Sequence, residues 1–182
     1  VEKGVCWEDV VKLASHHKLL PLLYKHVSKI CPDSVPEKTL DDLKRIYRIN
    51  ALNNLEKFSK LVDINNIFQA NGIDVLSVKG PLFTAEYLGD VALRTFSDID
   101  IVVKKDDFSK CKTLLRVKGY ETLPRNIPDR YFEMFAMSHH HGRLIDENGI
   151  LIELHWEISG RYGARKLDLL TLKPFFEQDN IE

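Results

Sequence analysis

The chain has 182 residues, of which 44% are hydrophobic and 29% are charged, a composition typical of a soluble globular protein. Its formal net charge of -1 at pH 7 provides no general attraction for polyanions, which argues against a long nucleic acid as partner. The sequence has no apolar run of the roughly 18 residues needed to cross a bilayer. Its three cysteines, Cys6, Cys31 and Cys111, have no metal-binding spacing. We therefore expect a cytoplasmic protein without a membrane partner.

An N-terminal helical region is predicted over residues 1–72. Apolar residues recur there at the 3.6-residue spacing of a helix, beginning with Trp7. A long helix is expected to begin near Pro36, because proline suits the first helical turn. It is expected to end at Asn71-Gly72, a common helix stop.

Residues 73–160 have the pattern of a mixed α/β core, in which short apolar strands alternate with helices. In chain order the predicted elements are a strand at 73–78, one or two helical turns at 82–88, a strand at 98–103 and a helix at 106–118. A loop at 121–130, a helix at 131–137 and hairpin strands at 139–146 and 150–158 follow. Residues 161–182 are predicted to be the start of a C-terminal helical extension that is truncated here. The predicted fold class is α+β, with a mixed sheet and an N-terminal helical region.

Two carboxylates lie two residues apart on the predicted strand 98–103. Because side chains alternate along a strand, Asp98 and Asp100 point to the same face, with Cβ atoms roughly 6 to 7 Å apart. That separation suits a pair of cations about 3.5 to 4 Å apart, and oxygen ligands favour Mg²⁺ or Mn²⁺ over zinc. By itself, the pattern also fits a solvated strand end with two exposed aspartates.

A third carboxylate, Glu153, lies in the predicted strand 150–158. Glu153 and His155 share one face of this strand, whereas Ile152 and Leu154 share the other. A charged residue in so apolar a run needs a partner. If the two strands are neighbours, Glu153 completes a cluster of three carboxylates. The alternative is the polar face of a half-exposed antiparallel strand.

The register of the hairpin decides which residues share a face with Glu153. With Asn148-Gly149 as a two-residue turn, Glu153 is predicted to pair with Leu144. The residues that this register places on the face of Glu153 are His140, His155 and Glu157. A histidine there would contact the substrate or its phosphates; the alternative, which is the more common case for a single histidine, is a structural role.

The histidine-rich segment also permits a zinc site. The candidate ligands are His139, His140, His141 and His155. Adjacent histidines on a strand point to opposite faces, so at most two of the first three can act together. The sequence has no HExxH motif. We therefore favour the carboxylate site.

The segment Lys79-Gly80-Pro81 links a predicted strand to a predicted helical turn. Glycine at such a turn lets backbone N–H groups approach a phosphate at the helix N-terminus. Lys79 would add a positive charge beside a triphosphate, and Arg94 would add a bidentate donor. The alternative is that this turn only begins a helix and binds no phosphate, because proline is common in the first helical turn.

Taken together, these motifs resemble a known family. They are Val78-Lys79-Gly80, Tyr87-Leu88-Gly89-Asp90, Arg94, Ser97 to Val103 and Ile152 to Trp156. Their combination is similar to the nucleotidyltransferase family NTP_transf_5, which belongs to the polymerase-beta-like nucleotidyltransferase superfamily. The helical segment Trp7 to Tyr24 contributes to the resemblance, which covers most of the chain.

The resemblance implies a mixed sheet flanked by helices and a two-metal site. It implies that the catalytic and metal-binding carboxylates are Asp98, Asp100 and Glu153. The residues expected to bind the nucleotide are Lys79, Gly80, Arg94 and His155. The chain departs from the superfamily at the phosphate-facing turn, where Lys-Gly-Pro replaces the usual Gly-Ser or Gly-Gly. Its gap between the turn and the aspartates is also longer than usual.

The resulting hypothesis is an Mg²⁺- or Mn²⁺-dependent nucleotidyltransferase. It would move a nucleoside monophosphate from a nucleoside triphosphate (NTP) to a hydroxyl or phosphate acceptor, with a small molecule favoured as acceptor. The alternative is a non-catalytic module that binds a nucleotide or a protein partner. The sequence leaves the acceptor, the base preference and the oligomeric state open.

Overall fold

The computed structural model describes residues 5–77, 80, 84 and 88–156. The chain divides into two compact units. One consists of Val1–Phe58 and Pro81–Phe96, and the other of Ser59–Gly80 and Ser97–Glu182. The predicted domain boundaries after residues 72 and 160 stay a prediction, and the predicted extension 161–182 lies outside the described residues.

The first unit contains helix α1 (Trp7–His16), helix α2 (Leu20–Ile30), a 3₁₀ turn at Pro32–Ser34 and the first part of helix α3 (Glu37–Ala70). Its small core is built on the buried residues Val27, Val35 and Leu43. The prediction of a long helix after Pro36 is confirmed. Across the ranges given above, none of the helices combines the length and apolar character needed to span a membrane.

The second unit contains a five-stranded mixed sheet in the order β1-β2-β5-β4-β3. The strands are β1 (Val75–Ser77), β2 (Asp98–Val103), β3 (Glu121–Leu123), β4 (His141–Ile145) and β5 (Leu151–His155). Strands β2 and β5 are parallel, and the other neighbouring pairs are antiparallel. Helix α4 (Phe108–Val117), helix α5 (Asp129–His139) and the last part of α3 belong to the same unit.

The hydrophobic core of this unit joins one face of the sheet to the end of α3, to α4 and to α5. Its fully buried side chains include Phe68, Ile99, Leu115, Phe132, Leu144, Ile152 and Leu154. The α+β fold class, with its mixed sheet and helical front, is confirmed. Strand 98–103 begins and ends as predicted, whereas residues 121–123 form an edge strand that the sequence indicated as loop. Three residues are too few to show a two-residue alternation.

The predicted register of the hairpin is wrong by one residue. Glu153 pairs with Arg143, and His155 pairs with His141. The reason is a three-residue loop in place of the two-residue turn: Gly149 adopts φ +82° and its N–H donates to the carbonyl of Asp146. A turn followed by a left-handed glycine is the usual way to build a three-residue hairpin loop.

Candidate functional site

The face of the sheet opposite the core carries the polar side chains of β2 and β5. Along β5, Ile152 and Leu154 are fully buried, whereas Glu153 and His155 are only partly buried. In the parallel pairing, Asp100 of β2 lies directly opposite Glu153 of β5. The alternation of each strand and the β2–β5 register therefore bring carboxylates from two distant segments together.

Asp100, Glu153 and His155 form one compact cluster. Each offers one ligand atom, and these atoms all lie within 4.8 Å of one another. The Nε2 atom of His155 lies 3.1 Å from Oδ1 of Asp100 and 3.5 Å from Oε2 of Glu153. The side chains are 10%, 21% and 20% exposed for Asp100, Glu153 and His155. The cluster is thus sheltered but reachable from solvent.

The electrostatics of the cluster favour a positive charge between the two carboxylates. Burial lowers the pKa of His155, but its hydrogen bonds to Asp100 and Glu153 outweigh burial and raise that pKa to about 9. The hydrogen bond from His155 lowers the pKa of Glu153 against the opposing effect of burial. A site that holds a proton in this way also suits a metal cation.

Asp98 is placed on the same face as Asp100, at the partly buried first position of β2. Its partner in β5 is Leu151, one step along the strands from the Asp100–Glu153 pair. Asp98 does not belong to the described group of ligand atoms within 4.8 Å of one another. The structure therefore brings Asp100, Glu153 and His155 into one group, and Asp98 lies outside that group.

Two residues of β4 join this face that the sequence analysis did not assign to it. His141 replaces the expected His140, because it pairs with His155, and their ring centroids are 5.1 Å apart. Arg143 lies across from Glu153, and its Nε atom is buried without a hydrogen-bond partner among the described residues. Both were missed because the register was predicted one residue out. Glu157, also expected on this face, lies outside the described residues.

The histidines proposed for a zinc site do not assemble into a common ligand group within the described ranges. His140 directly follows α5 and has a left-handed conformation, at φ 60°. His139 stacks on Phe135, with 4.0 Å between ring centroids. His141 lies within 2.9 Å of the carbonyl oxygen of His139 through Nδ1. Of the four histidines, His155 is the one in the described group of ligand atoms with Asp100 and Glu153.

The predicted phosphate-facing turn is described at one position. Gly80 is buried and has φ +93°, a conformation that favours glycine. Lys79 lies outside the described residues. The role of both residues toward a phosphate stays a prediction.

Arg94 lies in the first unit, in a segment held by buried amides. Asn50 and Asn54, one turn apart on α3, donate to the carbonyl of Arg94 at 3.1 and 2.7 Å. They also donate to the carbonyls of Ala92 and Val91, both at 2.6 Å. The Arg94 guanidinium lies 5.5 Å from the centroid of the Phe96 ring. The sequence analysis did not identify these hydrogen bonds. The signal for them is a pair of asparagines four residues apart among apolar positions of a helix.

A family model described as an uncharacterised nucleotidyltransferase, NTP_transf_5, matches residues 3–181. The chain belongs to this family. The family model confirms the resemblance read from the sequence and assigns NTP_transf_5 proteins a general role in nucleotidyl transfer. No curated protein and no solved structure matches the chain significantly.

The residues of this NTP_transf_5 protein fit a divalent cation. Asp100 and Glu153 supply oxygen donors and His155 supplies a nitrogen donor, all within 4.8 Å of one another. Hard divalent cations bind carboxylate oxygen, and imidazole nitrogen extends the range to transition metals. The neighbouring carboxylates repel one another, and a bound cation would turn this repulsion into attraction.

Proposed function

We propose that this protein transfers a nucleoside monophosphate from an NTP to a hydroxyl or phosphate acceptor and releases pyrophosphate. An acceptor oxygen attacks the α-phosphorus, and a hydroxyl acceptor gives its proton to solvent. The bond from the α-phosphorus to the oxygen that bridges the α- and β-phosphates breaks, and that oxygen leaves with the pyrophosphate. The observation that carries the proposal is the Asp100–Glu153–His155 cluster on the polar face of the sheet, in a member of a nucleotidyltransferase family.

In this proposal the site binds two cations, either Mg²⁺ or Mn²⁺, and their ligands are Asp98, Asp100 and Glu153. Bound there, they would make the acceptor oxygen more nucleophilic and offset charge on the leaving pyrophosphate. Asp100 and Glu153 lie opposite each other on parallel strands, so the backbone fixes their spacing before a substrate arrives. Such preorganisation avoids reorganisation at the moment of reaction.

Positively charged side chains would hold the triphosphate. Lys79 and Arg94 come from the sequence analysis, with Gly80 permitting close backbone approach. We add Arg143, because it lies across from Glu153 on the same sheet face and its Nε atom is unsatisfied among the described residues. A guanidinium binds phosphate oxygens in a bidentate manner and stays charged at all working pH values. His155 would contact the nucleotide phosphates or the cation.

The acceptor is proposed to be a small molecule. The net charge of -1 gives the chain no broad basic field for a long polyanion. A small acceptor hydroxyl or phosphate needs only local positioning beside the α-phosphorus. Holding both reactants in one geometry supplies a large part of the acceleration in such a reaction.

The test is pyrophosphate release from the four common NTPs, with Mg²⁺ or Mn²⁺, across a panel of hydroxyl- and phosphate-bearing acceptors. Asp100→Asn and Glu153→Gln should each lower the rate at least about 100-fold, equivalent to roughly 3 kcal/mol of lost transition-state stabilisation. Matched controls are Asp106→Asn and Glu147→Gln, because both residues are exposed and lie outside the cluster. These controls should retain the wild-type rate.

The rival function, a non-catalytic binding module, gives a different result in the same experiment. It predicts that calorimetry detects NTP and cation binding while no acceptor supports pyrophosphate release. Unchanged turnover in both carboxylate variants, with their folding verified by thermal unfolding, would also contradict the proposal.

A further inference from the structure

His155 brings a nitrogen atom to a site that the family resemblance describes with carboxylates alone. Its Nε2 atom is the one that faces the carboxylates, at 3.1 Å from Asp100 and 3.5 Å from Glu153. The three residues come from two strands with a fixed register, and all are at least partly buried. The imidazole is therefore part of the same local geometry as the two oxygen donors.

The two distances from Nε2 of His155 to the carboxylate oxygens are close to those between two ligands of one small cation. Two donor atoms bound at about 2.1 Å, with an angle of about 90° to 110° at the metal, lie roughly 3.0 to 3.4 Å apart. The two Nε2–oxygen distances fall at or near this range. The oxygen atoms of Asp100 and Glu153 lie within 4.8 Å of each other, so a cation bound to all three donors would draw the two carboxylates together around it.

A nitrogen ligand changes which cation a site prefers. Mg²⁺ favours oxygen ligands and retains its waters, so it gains little from imidazole. First-row transition metals accept imidazole readily, and for these metals affinity rises from Mn²⁺ toward Cu²⁺. Like Mg²⁺, Mn²⁺ binds carboxylate and phosphate oxygen well, but it also accepts a nitrogen ligand.

Building on the proposed function, we propose that His155 binds the cation directly through Nε2, which makes the centre select Mn²⁺ over Mg²⁺. His155 then has a defined role as a metal ligand, in place of a general contact to the nucleotide. The site becomes a mixed centre of two carboxylates and one imidazole in which the nitrogen sets the metal preference.

The test is pulsed electron paramagnetic resonance of the full chain loaded with Mn²⁺ alone. A directly bound imidazole gives a ¹⁴N modulation in the echo envelope, which carboxylate and water ligands do not give. Competition titrations with Mg²⁺ then measure the preference, which should be at least about tenfold in favour of Mn²⁺. Neither measurement requires a substrate or a turnover assay.

His155→Gln removes the nitrogen donor and should abolish the ¹⁴N modulation. It should also reduce the preference for Mn²⁺ about tenfold. The matched control is His141→Gln, because the Nδ1 atom of His141 already faces the carbonyl of His139 and its ring lies 5.1 Å from that of His155. This control should keep both the modulation and the preference.

A wild-type spectrum without ¹⁴N modulation overturns the inference, whichever variants fold. Loss of the modulation in His141→Gln with its retention in His155→Gln overturns it as well, because the ligand would then be the wrong histidine. The proposed function fails separately: a ¹⁴N-coupled Mn²⁺ centre without any pyrophosphate release supports the metal ligand and contradicts the transferase. Pyrophosphate release with Mg²⁺, combined with a Mn²⁺ spectrum that lacks ¹⁴N modulation, supports the transferase and contradicts His155 as a metal ligand.

Discussion

At the scale of single residues, Gly142 is the one described glycine at which an added Cβ atom would meet neighbouring atoms within 4 Å. A Cβ atom built there would lie 2.7 Å from the ring of Phe108 and 2.8 Å from the ring of Phe132. The two rings are nearly parallel, with centroids 6.2 Å apart, and both are buried. Close packing of this kind leaves little room for the rings to shift.

We expect Gly142→Ala to lower the free energy of unfolding by about 1–3 kcal/mol, the usual cost of overpacking a core. Denaturant unfolding measures it. Phe132→Leu shortens one of the two side chains, so in the double variant the alanine should cost less than it does alone. Additive effects of the two substitutions would show that the steric explanation is incorrect.

Asp90 is a residue of the first unit whose titration should affect stability at acidic pH. Burial raises the pKa of Asp90, but hydrogen bonds from Lys25, from Tyr47 and from the backbone N–H of Ala92 outweigh burial and lower it. A carboxylate whose pKa is lower in the folded state stabilises the fold above its unfolded pKa. That stabilisation is lost as the pH falls through the folded-state pKa.

We expect Asp90→Asn to lower the free energy of unfolding by about 1–3 kcal/mol at pH 7, the usual worth of hydrogen bonds to a charged group. The difference from wild type should shrink as the pH falls below about 4, near the unfolded pKa of aspartate. Urea unfolding at several pH values measures it. The control Asp41→Asn alters an exposed carboxylate and should show no such trend; a constant difference for Asp90→Asn would refute the linkage.

At the scale of elements, the β4–β5 loop depends on Asp146. Its Oδ1 atom accepts hydrogen bonds from the backbone N–H groups of Asn148 at 3.0 Å and Ile150 at 2.9 Å. Its Oδ2 atom lies 3.1 Å from the ammonium of Lys60, and the side chain is 6% exposed. One buried carboxylate thus fixes the loop whose length sets the register of the cluster.

Asp146→Ala should lower the free energy of unfolding by about 2–4 kcal/mol, because it removes both backbone hydrogen bonds and the ion pair. Asp146→Asn keeps an oxygen acceptor for the two N–H groups and should cost clearly less. Urea unfolding of both variants makes the comparison. Equal costs would mean that the charge, and not the backbone hydrogen bonds, accounts for the effect.

The same loop shows how far the sequence could predict the structure. Strand 98–103 was predicted with both ends, because six residues alternate acidic and apolar side chains and then run apolar. Asn148-Gly149 correctly indicated a hairpin, but this dipeptide suits both two- and three-residue loops. The choice depends on Asp146, whose side-chain hydrogen bonds are not visible in a pattern. The one-residue difference in register places His141, and not His140, on the face of the cluster, and it pairs Glu153 with Arg143 in place of Leu144.

The candidate site was predictable in part for a related reason. That Asp98 and Asp100 share a face follows from alternation within one strand. That Asp100 lies opposite Glu153 required knowing which strands are neighbours, and residue 153 is more than 50 positions away along the chain. The resemblance supplied that pairing, because local periodicity carries no information about distant strand partners. The contact of His155 with both carboxylates required coordinates.

At the scale of the whole sheet, one face contributes to the stability of the fold and the other carries the candidate site. The face with Ile152 and Leu154 belongs to the core, and the face with Glu153 and His155 carries the cluster. Adjacent residues of one strand therefore offer a direct test of this division. Ile152 is 0% exposed, and burial of such a side chain stabilises the fold by several kcal/mol.

Ile152→Ala should lower the free energy of unfolding by about 2–5 kcal/mol and leave the response to Mn²⁺ intact. Glu153→Gln should change stability without metal by only about 1 kcal/mol. Saturating Mn²⁺, at about 100 times its dissociation constant, should raise the melting temperature of the wild type and of Ile152→Ala by about 5 to 10 °C. Glu153→Gln should lose most of that rise. Thermal unfolding with Mn²⁺ or with a chelator measures all three proteins, and an undiminished rise in Glu153→Gln would place the cation somewhere else on the molecule.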